Sequence, residues 1–253
     1  MNLYASAMPP KPDRHAARTP RHGVARVISK LGLASRSLAA QWVNEGRVRV
    51  NDQLVRDPDF PVLQGHDRIS VDERNIAAAA RMVLMLNKPR GLVTTRQDEQ
   101  GRATVYQCLA DAPLPWLAPV GRLDKASEGL LLFTNDSAWA AQLTNPATGP
   151  DKTYHVQIDR VPDEALLTKL ASGALVEGAW LGFKSVRCLR SGPKNAWLEV
   201  ILDEGRNRQI RRVLEACDVS VLRLVRVAIG RLALGELPKG RWRLLGEPEI
   251  AAL

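Results

Sequence analysis

The sequence predicts an α+β protein made of a small N-terminal module and a larger mixed domain. Strand and helix signals follow one another without the regular alternation of a doubly wound sheet. A helix-then-strand pattern at residues 24–72 is set off from the rest by a short alanine-rich stretch. The chain has 253 residues, 45% apolar and 25% charged, which is enough for one small and one medium core.

Residues 1–23 carry Pro9, Pro10, Pro12 and Pro20 among basic side chains. Such a segment buries too little apolar surface to offset its ordering entropy, so a mobile basic tail is expected. In residues 24–72, Ser35 can cap a helix through its hydroxyl. Leu38, Ala39, Trp42 and Val43 then share one helical face, and Gly46 suits a left-handed helix end. Arg47-Val48-Arg49-Val50 alternates with period two before an Asn51-Asp52 turn. Five basic residues against one acid, Glu45, lie between Arg26 and Arg49. That face is either solvated or turned toward a phosphate backbone. Residues 73–81, with Ala77 to Ala80, read as a linker.

Beyond it, 82–86 and 130–134 are short apolar runs suited to buried strands. Tyr154 to Ile158 alternates as a half-buried strand does. Residues 162–170 read as a short helix and 197–202 as a strand. Residues 208–216 have helical spacing, with Ile210, Val213 and Leu214 apolar. Residues 221–227 set Arg223 and Arg226 among aliphatics in a further strand.

The net charge is +9 and the isoelectric point about 9.9, which points to a polyanionic partner. No apolar run approaches the roughly 18 residues of a membrane helix, and no signal-peptide core opens the chain. Three cysteines, Cys108, Cys188 and Cys217, lie far apart, and the four histidines are equally scattered. These spacings suggest a reducing cytoplasm and no metal site. No glycine-rich phosphate loop and no G-x-S-x-G elbow occur. Chemistry on a polyanion would then fall to acid–base or nucleophilic side chains, with no bound cofactor.

Two segments could carry such chemistry. In residues 120–130, Gly121 and Gly129 bracket a loop holding Arg122, Asp124, Lys125 and Glu128. A carboxylate there can be aimed into a cleft and kept ionised by neighbouring cations. A charged surface turn is the plainer reading of the spacing alone. In residues 203–212, Arg206, Arg208, Arg211 and Arg212 open a helix. Their planar forks suit phosphate, and Arg211 could instead turn inward toward a carboxylate.

Residues 33–37 (Leu-Ala-Ser-Arg-Ser) and 46–51 (Gly-Arg-Val-Arg-Val-Asn) resemble the alpha-L RNA-binding module first known from a small-subunit ribosomal protein. That resemblance implies that Ser35, Arg36, Arg47 and Arg49 lie near an RNA backbone. Five further motifs occur in order: Leu86-Asn87-Lys88-Pro89-Arg90-Gly91, Gly121-Arg122-Leu123-Asp124, 127–136, Lys152-Thr153-Tyr154 and 204–212. A closing block follows, with Leu222 to Gly230 and Pro238 to Arg243. Together they resemble the ribosomal RNA pseudouridine synthases of the branch with an N-terminal alpha-L module, and the likeness spans nearly everything after residue 23. Asn145, where the family often has histidine, and Ser137, where glycine is common, depart from it outside the expected catalytic set.

The resemblance implies a mixed, largely antiparallel sheet in residues 82–253, with Asp124 in a central cleft and neither metal nor organic cofactor. It implies isomerisation of uridine to pseudouridine in ribosomal RNA, with large-subunit RNA favoured over small-subunit RNA. Asp124 is then the nucleophile or the group that stabilises a detached base. Tyr154 stacks on the base and moves a proton, Arg211 pairs with Asp124, and Ile210 packs beside the ring. Arg122, Arg206 and Arg208 hold the RNA. The alternatives are an inactive ribosome-binding or assembly protein, disfavoured by the intact Gly-Arg-Leu-Asp and Tyr154, and a methyltransferase, disfavoured by the missing glycine-rich loop. A monomer is the default expectation.

Overall fold

The computed structural model describes residues 21–110 and 112–253. Most of the basic tail, residues 1–20, lies outside the described residues. The chain divides into two compact units, one of residues 21–27 and Ser37–Ile76, the other of Ile28–Arg36 and Ala77–Leu253.

The N-terminal segment forms β1 (His22–Gly23), α1 (Val24–Lys30), α2 (Arg36–Asn44), β2 (Val48–Val50), β3 (Gln53–Val55), β4 (Pro61–Val62), β5 (Ile69–Val71) and β6 (Arg74–Asn75). The tail therefore ends in a strand, with His22–Gly23 pairing antiparallel to Pro61–Val62. Strands β3, β2, β5 and β6 make a four-stranded sheet in that order. The stretch read as linker begins inside this sheet, because Arg74 and Asn75 pair with Val71 and Ser70. Gly46 has φ +74°, and Asn51 and Asp52 have φ 49° and 66°, the left-handed turn that joins two twisted strands. Ala39 and Val43 of α2 are fully buried, the apolar stripe that the sequence shows.

The larger unit continues with β7 (Val83–Lys88), a 3-10 turn (Val105–Leu109), β8 (Ala118–Pro119), β9 (Glu128–Thr134), α3 (Ser137–Thr144), β10 (Lys152–Ile158) and α4 (Glu164–Ser172). The hairpin of β11 (Ala174–Val176) and β12 (Ala179–Leu181) follows, then β13 (Ser185–Ser191), β14 (Ala196–Leu202) and α5 (Gln209–Glu215). β15 (Val221–Ile229), β16 (Leu232–Ala233), β17 (Trp242–Leu244) and α6 (Glu247–Ala251) complete it. A nine-stranded sheet runs β13-β14-β10-β15-β9-β7-β17, with β16 beside β15 and β8 beside β9. All its pairings are antiparallel except β15 with β9, where Val225 faces Glu128 and Arg226 faces Gly129.

Both faces of β7 and β9 are buried. Leu84, Leu86, Leu131 and Phe133 enter one core with the apolar sides of α4 and α5. Val83, Met85, Leu130 and Leu132 enter the other, with Leu143 of α3 and Ile250 of α6. That explains why these two strands read as unbroken apolar runs. Strand β10 buries one face only, Tyr154, Val156 and Ile158, and so it alternates. Asp136 caps α3 by accepting from the Ala138 and Trp139 N–H groups, 3.0 Å each. Asn135 fixes the chain entering β7: its Oδ1 accepts from the Met82 N–H and its Nδ2 donates to the Ala80 carbonyl, both at 2.9 Å.

The one parallel pairing requires glycine at position 129. Its φ is +101°, and a Cβ there would lie 2.2 Å from the Arg226 carbonyl oxygen. We expect Gly129→Ala to lower the unfolding free energy by roughly 3 kcal/mol, combining overpacking with backbone strain. Urea denaturation measures this, and a midpoint equal to that of the wild type would contradict the close approach.

Candidate active site

One cleft of about 670 Å³ is lined by Arg122, Asp124, Tyr154, Arg206, Arg208, Ile210 and Arg211. Seven residues singled out from sequence thus converge, although they span residues 122 to 211. Ser35, Arg36, Arg47 and Arg49 belong to the N-terminal segment and do not line it. Arg47 is tied within its module. It donates to Asp72 at 2.9 and 2.6 Å and to Glu45 at 3.3 Å, and lies over the Trp42 ring at 5.3 Å. Arg49 donates to the Asp52 carbonyl at 2.9 Å.

Asp124 sits in the loop between β8 and β9, and the loop is held through its backbone. Five successive carbonyls, Leu123 to Ser127, each accept a hydrogen bond. The Thr94 hydroxyl donates to Leu123 O at 2.7 Å. The Gly91 N–H donates to Lys125 O at 2.7 Å, and the Ser127 N–H to Asp124 O at 2.9 Å. Arg211 Nη2 donates to Ala126 O at 3.1 Å. Lys88 Nζ donates to Asp124 O at 3.1 Å and Ser127 O at 2.8 Å, and also to its neighbour Pro89 O at 3.1 Å. Carbonyls satisfied from β7, its following loop and α5 leave the loop little freedom, so the Asp124 carboxylate is held at the cleft.

Lys88 is fully buried at the end of β7. Burial pulls its ammonium down to about 8, against the opposing pull of Asp124, Cys108 and Glu128. Three donors meeting three carbonyls match the ammonium's capacity. The sequence places Lys88 in a motif but gives it no role, because two of its three partners lie 36 and 39 positions away.

Glu128 is a second correction. It reads as one of the charges in the Asp124 loop, yet it opens β9 with its side chain only 3% exposed. It accepts from Arg223 Nε and Nη2, both at 3.1 Å, and pairs with Lys239. Burial raises its carboxyl, but these two cations outweigh it and hold the group below its ordinary value.

The helix α5 brings the arginines. Arg208 takes the left-handed conformation, φ 50° and ψ 27°, just ahead of it. Gln209 is buried and locks this corner. Its Nε2 donates to Gly182 O at 2.8 Å and to Glu204 Oε1 at 2.7 Å, while its Oε1 accepts from the Arg206 N–H at 3.2 Å. Glu204 also accepts from Arg206 Nε at 2.9 Å. Gln209 is a positioning residue that a charge-based reading misses.

Arg211 makes no direct ion pair with Asp124. The expected pairing is replaced by the bond to Ala126 O, and Arg211 Nε is buried without a partner among the described residues. Its pKa is lowered, chiefly by burial and then by Arg208, while Asp124 acts in the other direction. Tyr154, on β10, is 9% exposed, and Ile210 is 3% exposed. They supply an aromatic and an aliphatic wall to a cleft with two carboxylates: Glu204, bonded to Arg206 and Gln209, and Asp124 at its loop. Such a site can hold a flat heterocycle and present a nucleophile to it.

The family model for RNA pseudouridylate synthase matches residues 82–216, and the S4 domain model matches residues 24–69. The chain is 34% identical over 229 residues to an uncharacterized RNA pseudouridine synthase of Aquifex aeolicus, covering 90% of this chain and 92% of that protein. It is 34% identical over 230 residues to ribosomal large subunit pseudouridine synthase B of Bacillus subtilis, covering 90% and 93%. A crystal structure of a pseudouridylate synthase superposes with a TM-score of 0.64 at 29% identity, over 91% of this chain and 99% of that one.

Lys88 yields a prediction with a definite sign. The unfolded chain keeps its proton up to the ordinary lysine range, whereas the folded chain releases it from about pH 8. The unfolded state binds more protons in that window, so stability rises with pH across it. In urea titrations, wild type should therefore gain stability relative to Lys88→Met between pH 8 and 10. Parallel curves would show that the ammonium is not desolvated as described.

Proposed function

Because the chain belongs to the RNA pseudouridine synthase family and carries an S4 domain ahead of its catalytic domain, we propose that it isomerises uridine to pseudouridine in large-subunit ribosomal RNA, with Asp124 as nucleophile. The observation that carries this reading is the Asp124 carboxylate, on a loop tied through five carbonyls, beside an aromatic and an aliphatic wall in a cleft rimmed by arginines, where the other carboxylate, Glu204, is bonded to Arg206 and Gln209.

The reaction breaks the bond from ribose C1′ to N1 of uracil and forms one from C1′ to C5. The C5 proton is lost and N1 gains one, so nothing is added overall. The Asp124 carboxylate attacks either the sugar or the ring, and in both accounts it must be ionised. Arg211, anchored on Ala126 O, supplies a positive charge that Asp124 feels. Tyr154 stacks on the base and transfers a proton, and Ile210 closes the opposite side.

A uridine in structured RNA must leave its stack to reach Asp124, at a cost of a few kcal/mol. Contacts to the phosphate backbone offset that cost. Arg122, Arg206 and Arg208 make them at the cleft, and the N-terminal module, with Ser35, Arg36, Arg47 and Arg49, adds to them. The Bacillus subtilis relative is named for the ribosomal large subunit, and the basic balance of this chain suits RNA of that kind. The protein works in the cytoplasm, as a monomer, with no cofactor.

Asp124→Asn keeps the shape and removes charge and nucleophilicity. It should abolish tritium release from C5-labelled ribosomal RNA while leaving the affinity for that RNA within about twofold, since no backbone contact is lost. Turnover above a few per cent of wild type would rule Asp124 out as nucleophile. Arg211→Ala should slow single-turnover conversion at saturating RNA by about tenfold or more, because the cation and its hydrogen bond to Ala126 O are lost. A single-turnover rate equal to that of wild type would remove Arg211 from the reaction.

A further inference from the structure

Three buried side-chain atoms lack a hydrogen-bond partner among the described residues: Ser127 Oγ, Arg211 Nε and Arg226 Nη2. All three residues line the same cleft. Arg211 has a part in the reaction proposed above. Arg226 has none, and it is the more demanding case, being a cation only 6% exposed.

Arg226 lies on β15. Its Nε donates to the Leu130 carbonyl at 2.7 Å, which fixes the guanidinium under the strand that follows the Asp124 loop. Directly across on β10 stands Tyr154. Side chains paired this way begin about 5 Å apart on the same face of the sheet. Lys152, two residues before Tyr154 and so on the same face, is half-buried in the cleft. Its pKa is lowered first by burial and then by Arg226, while Asp151 and Asp203 act the other way without bonding to it. The two cations therefore feel one another. Neither forms an ion pair among the described residues, and the nearby Asp151 is committed to Lys184 at 2.8 Å.

Burying a cation without a counter-charge is costly, and two side by side cost more. A neutral uracil carbonyl cannot offset two positive charges. A phosphodiester can, because it brings a full negative charge and two oxygens that fit a guanidinium fork. We propose that Arg226 and Lys152 form a phosphate subsite that seats a backbone phosphate of the nucleotide held against Tyr154, or of its immediate neighbour. This rests on the reading that RNA enters this cleft, and it adds the point at which the flipped strand is gripped. The grip is made from the sheet floor, whereas Arg206 and Arg208 approach from the α5 side.

The test is phosphate-alkylation interference. Large-subunit ribosomal RNA, alkylated sparsely and at random on its phosphates, is partitioned by binding to full-length wild type, Lys152→Met and Arg226→Gln. One or two adjacent phosphates should weaken wild-type binding about tenfold or more when alkylated, the scale of a charge-assisted contact. That interference should vanish for both variants while the rest of the pattern persists. Patterns identical across the three proteins would overturn the subsite. The Lys152 side chain has no hydrogen-bond or ion-pair partner among the described residues, so Lys152→Met keeps the test decisive if Arg226→Gln does not fold. Pseudouridine formation, scored separately on the unalkylated RNA, distinguishes failure of the activity from failure of the subsite.

Discussion

The buried Lys88 ammonium is the contact on which the site depends. An amine taken wholly out of water loses several kcal/mol of hydration unless its protons are matched. Here the carbonyls of Pro89, Asp124 and Ser127 match them. The same bonds tie β7 to the loop that carries Asp124. The loop could not be rebuilt around an apolar side chain without leaving carbonyls unsatisfied. Thr94, the Gly91 N–H and Arg211 complete the set, so the fold holds the Asp124 loop by its backbone.

The sheet supplies the second constraint. The parallel pairing of β9 with β15 brings Gly129 against Arg226 so closely that no side chain fits between them. This pairing sets the Asp124 loop beside the strand next to Tyr154. The cations then occupy three distinct positions: Arg206 and Arg208 before α5, Arg211 under the loop, and Arg226 with Lys152 on the sheet. A polyanion drawn in by the net positive charge thus meets guanidinium groups on more than one wall. That arrangement suits extraction of a single nucleotide from a structured strand.

Much of this was legible in the sequence, for physical reasons. The runs at 83–86 and 130–133 are unbroken because both faces of those strands are buried. The 154–158 stretch alternates because only one face is. Asp124, Tyr154, Ile210 and Arg211 were found through ordered motifs, and they line one cleft. What escaped depends on contacts between distant residues. Lys88 and Gln209 look like ordinary polar positions until residues 124, 127, 182 and 204 are brought to them. Glu128 looks like a loop charge until Arg223 and Lys239 enclose it. The edge strand β13 escaped because its exposed and half-buried residues give no clean period. The motifs imply that Arg211 pairs with Asp124, whereas its hydrogen bond goes to the Ala126 carbonyl, a backbone partner that no pattern of side chains predicts.

If the side chains of the cleft carry the reaction, uridine becomes pseudouridine with nothing but this chain and RNA present. The most direct measurement incubates purified protein with unmodified, transcribed large-subunit ribosomal RNA in chelator-containing buffer, with no small molecule added. Pseudouridine is then mapped by nucleotide resolution sequencing and quantified by mass spectrometry. The account predicts near-complete conversion at a specific uridine and no change in RNA mass. RNA that stays unmodified, or is converted only after a metal ion or organic cofactor is supplied, would contradict it.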